Sequence, residues 1–168
     1  TWRWDTDDPS SSGMYEYGLI RFDSIFGSGA GQIPPGATIA SATLTLYIEN
    51  GTVAPAGTVN EVTVDWSEWA TTWNSFGGDA GVQADEYGTL VASTPVTGAS
   101  VSTNIDVTAS LQAWAAGGTN FGWIFQPAVT DGVAVTSSEG ATVANRPKLT
   151  VVYTAPAVPC DGDEDCDD

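Results

Sequence analysis

The 168-residue sequence predicts an all-β fold, an antiparallel sandwich or barrel, with one short helix and an acidic C-terminal tail. Three observations predict it. Turn-forming residues punctuate the whole length, with 19 Gly and nine Pro among many Thr, Ser and Asn. Between them lie short β-branched runs that alternate with a period of two, so that one face of each can meet a core. A single stretch breaks this rhythm and takes helical spacing. A chain of this length buries roughly 70% of its unfolded surface and needs no cross-links to fold.

In chain order, "TWRWDTDD" (1–8) puts Trp2 and Trp4 on one side of an extended segment and Arg3 and Asp5 on the other. "YGLIRFD" (17–23) reads as a strand with Leu19, Arg21 and Asp23 opposite Ile20 and Phe22. "SGAGQIPPGA" (28–37) is a loop and turn. "ATIASATLTLYIEN" (37–50) is the clearest strand, with Ala42, Leu44, Leu46 and Ile48 facing one way and Thr43, Thr45 and Tyr47 the other. "NEVTVDW" (60–66) places Val62 and Val64 inward. "SVSTNIDV" (100–107), "NFGWIFQP" (120–127), "GVAVTSS" (132–138) and "PKLTVVY" (147–153) supply four more strands, the last opened by Pro147, which a strand start tolerates. In "DVTASLQAWAAGG" (106–118), Leu111, Trp114 and Ala115 fall at i, i+3 and i+4. Asp106 or Thr108 can cap that helix and Gly117 can end it. "TAPAVP" (154–159) reads as a semi-rigid linker. The expected organisation is a sandwich over 1–154 and a linker with an acidic tail over 155–168.

Charge narrows the functions. There are 21 acids against Arg3, Arg21, Arg146 and Lys148, and no histidine, for a net charge of −17. Removing the six acids of 159–168 from −17 leaves −11, so the body is acidic too. Such a surface repels phosphate backbones and anionic lipid heads, which argues against nucleic-acid partners and membrane binding. The apolar runs are strand-length, far short of the ~20 residues of a membrane span, so no membrane insertion is expected. Two close cysteines, one methionine and almost no lysine fit an extracellular protein, and with no signal peptide visible the chain is expected to be a mature form that begins after cleavage of a leader.

Without histidine there is neither a Ser-His-Asp triad nor an imidazole metal site, and no carboxylate pair stands out for glycosidase work. The chain is therefore expected not to be an enzyme. The tail "PCDGDEDCDD" (159–168) repeats Asp161, Asp163 and Asp165 at every second residue, like the opening of a calcium loop. It departs from the EF-hand pattern, with Cys166 where the turn glycine belongs. A Cys160–Cys166 disulfide would hold these carboxylates together; a plain acidic linker is the other reading. Asp5, Asp7, Asp8, Asp23 and Glu139 are candidates for a structural calcium site between the N-terminal loop and the sheet. Calcium is the expected cofactor. Trp2, Trp4 and Trp69 are the candidates for ligand binding or assembly, because aromatic faces stack on the C–H faces of sugars. Trp2 and Trp4 equally suit packing on the core or insertion into a neighbouring subunit. Trp73 with Asn74, Trp114 and Trp123 are read as structural, and Arg146 as the partner of a carboxylate.

Five stretches in order, "LIRFD" (19–23), "IPPGATIASATLTLY" (33–47), "VDWSEWATTWNSFGG" (64–78), "IDVTASLQAWAAGGTNFGWIFQP" (105–127) and "SSEGATVANRPKLTVVY" (137–153), resemble the DNRLRE, or disaggregatase-related, domain. The resemblance implies a jelly-roll β-sandwich of secreted microbial proteins, non-catalytic, with some members acting as carbohydrate-binding modules. It also implies a loop crossing the sandwich at 65–76. Members often carry a further strand before the position of Tyr17; here it is either short or missing.

Two functions follow. One is an extracellular, calcium-stabilised accessory domain that binds a polysaccharide or other glycan, or adheres. The other is a structural subunit that joins copies of itself into a filament or surface coat by strand or terminus exchange. A missing first strand would leave a groove for a neighbour's terminus, and only Lys148 is available to block sheet edges.

Overall fold

The computed structural model describes residues 3–6, 15–52, 57–94, 97–128 and 132–157. Trp2, Asp7, Asp8, Cys160, Asp161, Asp163, Asp165 and Cys166 lie outside them. The elements are β1 (Arg3–Asp5), β2 (Gly18–Ile20), β3 (Thr38–Asn50), β4 (Gly57–Val62), β5 (Tyr87–Ser93), β6 (Val101–Asp106), α1 (Thr108–Ala115), β7 (Trp123–Pro127), β8 (Ala134–Thr136) and β9 (Lys148–Thr154).

Two antiparallel sheets form a sandwich. The first has the order β1-β8-β3-β6, with β9 also paired to β3; the second has the order β2-β7-β4-β5. The 13-residue β3 is the spine. It pairs with β6 on one side and, on the other, with β9 along its first part and β8 at its end. Ala42, Leu44, Leu46 and Ile48 point inward, as the alternation predicts. A bulge between Ile39 and Ser41 lets Ile39 join them.

The inner faces meet over Leu44, Leu46, Ile48, Val59, Ile105, Trp123, Phe125 and Val135. Each such buried side chain contributes about 1.5–3 kcal/mol. Helix α1 closes one end, setting Leu111 and Trp114 into the core, with the Trp114 ring 4.9 Å from that of Trp123. Asp106 accepts a hydrogen bond from the Thr108 backbone N–H at 2.9 Å, so it secures the helix start as the sequence suggests. Gly117, at φ +101°, takes the left-handed turn that ends the helix and donates to the Trp114 carbonyl.

The second sheet is covered on its outer face as well. Ile124, between Trp123 and Phe125, points outward and packs with Val62 and Phe76, the latter carried by the crossing loop 63–86. This explains why "WIF" is apolar at three consecutive positions.

Of the two alternatives for the first strand, the structure has the short one, three residues long. Elsewhere it departs from the sequence expectations in several places. The predicted strand 17–23 is paired over Gly18–Ile20 alone, and the predicted strand 60–66 runs instead from Gly57 to Val62. Strand β5, "YGTLVAS", was not expected; it is a mostly exposed edge with little apolar alternation. Arg146 donates Nε to the Gly140 carbonyl at 2.8 Å, because the turn at 137–140 brings that oxygen to it, and among the described residues no carboxylate pairs with it.

One interaction makes a direct test. The fully buried Trp123 indole N–H donates to the Ser110 hydroxyl at 3.1 Å. Replacing Ser110 by Ala strands that donor, at a cost of about 1–3 kcal/mol. Urea unfolding should show a lower midpoint at an unchanged slope.

Candidate functional site

Strands β1 and β2 are the outermost strands of their sheets and lie at the same seam of the sandwich. The Trp4 indole fills that seam. It is half-buried, its ring centroid lies 4.9 Å from that of Phe125, and it rests on Gly18, where any Cβ would overlap the indole. Beside it, buried Thr6 donates its backbone N–H to the Val133 carbonyl and accepts the Val133 N–H on its hydroxyl, both at 3.2 Å. The N-terminal strand is thus seated by packing and by paired hydrogen bonds, despite its length.

Where the seam meets the crossing loop there is a cleft of about 720 Å³. This lies within the ~300–1,000 Å³ typical of small-molecule sites. Its floor is Trp4, Leu19, Phe76 and Ile124. Its wall is an aromatic row: Tyr17 lies 6.3 Å from Tyr15 and 5.8 Å from Trp73, between ring centroids. Tyr15 is 48% exposed and Trp73 47%, so both offer ring surface to a ligand. Thr71 and Thr72, with Arg3, Asp5 and Glu16, bring polar groups to the rim.

The loop holds Trp73 in place by local chemistry. Thr71 Oγ1 accepts from the Ser67 N–H and Ser75 Oγ from the Thr72 N–H, which fixes two tight turns. Phe76 anchors the loop in the outer core, and the Gly81 N–H donates to the Trp73 carbonyl at 2.8 Å. Buried Glu86 accepts the Gln83 N–H at 2.6 Å, and the Trp66 indole donates to the Phe121 carbonyl at 2.7 Å.

Across Trp4 lies a second cavity of about 310 Å³, which shares Trp4 and Leu19 with the first. Its wall is mixed: Trp4, Leu19, Ile20, Phe22 and Trp66 face charged and hydroxyl side chains. Arg21 reaches Asp23 at 2.9 Å and Asp65 at 2.8 Å, and its guanidinium stands 5.1 Å from the centre of the Trp66 ring. Glu68 and Glu139 line the same cavity. Burial, then the charge and hydrogen bond of Glu139, push the Glu68 carboxyl above its ordinary value of 4.5. Hydrogen bonds from Ser138 and Ser137 hold Glu139 below that value. Glu68 therefore keeps its proton longer while Glu139 stays ionised.

The sequence-predicted residues distribute unevenly over this geometry. Trp4 borders both cavities. Trp69 is 88% exposed, as expected, but lines neither. Among the described residues no group of three or more acids or cysteines is arranged to hold a metal ion. Asp5 accepts the Thr6 N–H, Asp23 pairs with Arg21, and Glu139 is engaged by Ser137 and Ser138. Trp114 and Trp123 are in the core as expected. Trp73, read from the sequence as structural, turns its ring into the cleft. Tyr15 and Tyr17 were missed, although their spacing of two repeats that of Trp2 and Trp4 and places both on one side of an extended segment.

Fold and cleft together define a class: β-sandwich modules with aromatic side chains exposed in a surface cleft. The chain belongs to carbohydrate-binding module family 96, whose sequence profile matches residues 29–153. No curated protein matches the chain. Trp66, Trp69 and Trp73 lie inside the matched span, whereas β1 and β2, which complete the cleft, precede it. No helix of the described residues is long and apolar enough to cross a membrane.

Glu68 and Glu139 have pH signatures of opposite sign. A carboxyl whose folded pKa is raised contributes stability that is fully present below its unfolded pKa and is lost as pH rises through the folded value, whereas one whose folded pKa is lowered contributes stability that is lost as pH falls. The share of Glu68 is read as the melting-temperature difference between the native protein and Glu68→Gln, which should shift against the native protein as pH rises from about pH 4.

Proposed function

We propose that this module is non-catalytic, that it acts outside the cell, and that it holds a glycan in the cleft lined by Tyr15, Tyr17 and Trp73. The observation that carries the reading is the aromatic row. Three rings follow one another within 6.3 Å, two of them half exposed, over an apolar floor and beside threonine hydroxyls. Sugars present flat C–H faces and a hydroxyl rim, and this arrangement matches both. Membership of family 96 supports the same ligand class. The motifs shared with the DNRLRE domain, apart from "LIRFD", fall inside the span matched by the family profile and support that narrower kinship.

Calcium belongs to the proposal on the strength of the sequence alone, through the Asp161, Asp163 and Asp165 spacing and the overall acidity. If calcium stabilises the protein, millimolar calcium should raise the melting temperature and chelator should lower it.

Self-assembly into a filament or coat is the second reading. What favours it is the seat of β1. Gly18 and Gly132 leave room for Trp4 and Thr6, and the same residues from a second copy would make the same contacts. Light scattering after size separation, with and without calcium, distinguishes a monomer from a polymer.

The primary reading is tested by affinity electrophoresis against a panel of neutral and acidic polysaccharides. Trp73→Ala should weaken retention by the best ligand about tenfold or more, equivalent to ~1.4 kcal/mol. Trp69→Ala, outside the cleft, should change it little. Retention that survives Trp73→Ala but is abolished by Trp69→Ala would move the site to the exposed loop.

A further inference from the structure

We propose that the seam binds one extended glycan chain along its interior, in two subsites separated by Trp4, rather than a chain end in a single pocket. This rests on the reading of the aromatic cleft as a sugar site and deepens it. The two cavities share Trp4 and Leu19 as walls, so they adjoin across the indole, and a chain lying over it would reach both.

The two subsites differ in chemistry. The cleft offers ring faces. The second cavity offers hydrogen-bonding groups of both kinds around a space of about 310 Å³. Glu68 and Glu139 supply acceptors that can engage neighbouring hydroxyls. Ser137 and Ser138 donate their hydroxyls to Glu139 and hold that carboxylate in place, and Arg146 supplies donors beyond the Nε that it gives to Gly140. Arg21 is fixed by Asp23, Asp65 and the Trp66 ring, so its side chain is ordered before any ligand arrives. Ordered polar groups discriminate between hydroxyl patterns, because a mismatched ligand leaves them without partners. The aromatic cleft then provides affinity that tolerates different sugars, and the carboxylates and guanidinium of the second cavity provide selectivity and a dependence on chain length.

Calorimetric titration with purified oligosaccharides of graded length tests this on the full chain. The probes are gluco-, manno-, xylo- and uronic-acid series from disaccharide to octasaccharide. In the series that binds, affinity should rise by about tenfold or more once the chain is long enough to pass Trp4. The double variant Glu68→Gln/Glu139→Gln should erase that rise and leave the affinity of the shorter members intact. Both residues are exposed, and an unchanged circular dichroism spectrum will show that the variant folds. Affinity independent of length, or a double variant that weakens short and long chains alike, would overturn the two-subsite arrangement while leaving the cleft reading in place. Short oligosaccharides that bind equally well to Trp73→Ala would overturn the cleft reading and this one with it, as would no binding in any series.

Discussion

The Trp4 indole between the outer strands of the two sheets is the contact on which the candidate site depends. It closes the seam over Phe125, needs the bare backbone of Gly18 beneath it, and separates an aromatic cleft from a second cavity that carries Glu68, Glu139 and Arg21. A three-residue strand is a weak element by itself. It is held because the indole, buried Thr6 and the register against β8 act together. Cleft shape and seating of the N-terminal strand are therefore one problem.

The second constraint is the crossing loop. A long loop ordinarily carries exposed backbone and moves. This one is pinned by Phe76 and Trp66, by Glu86, and by serine and threonine hydroxyls that cap its own turns. The result is a loop whose anchors and capped turns fix Trp73 at the cleft, which under the proposed function lowers the ordering cost of binding. Its apolar residues also cover the outer face of the second sheet, so the element that builds the site also completes the core.

Much of the architecture was legible in the sequence. The alternation of 42–48 identified the spine strand, and the i, i+3, i+4 spacing of Leu111, Trp114 and Ala115 identified the helix on the core. Strand β5 was not legible, because an exposed edge needs no apolar alternation. The ends of β2 and β4 were not legible either, since pairing, rather than propensity, stops them. For the site, the sequence singled out aromatic residues but could not tell which of them share a surface. Trp73 and Trp69 are four residues apart in one loop, and only the turns fixed by Thr71 and Ser75 decide that Trp73 enters the cleft. Tyr15 and Tyr17 join it through β2, far away in sequence.

The most direct test follows the seven tryptophan indole N–H signals by NMR during titration with the glycan best retained in the polysaccharide panel. The account predicts that Trp73 and Trp4 shift first, with Trp66 following for longer chains, while the core residues Trp114 and Trp123 stay still. Shifts confined to Trp69, with Trp4 and Trp73 unmoved, would contradict a binding site at the seam.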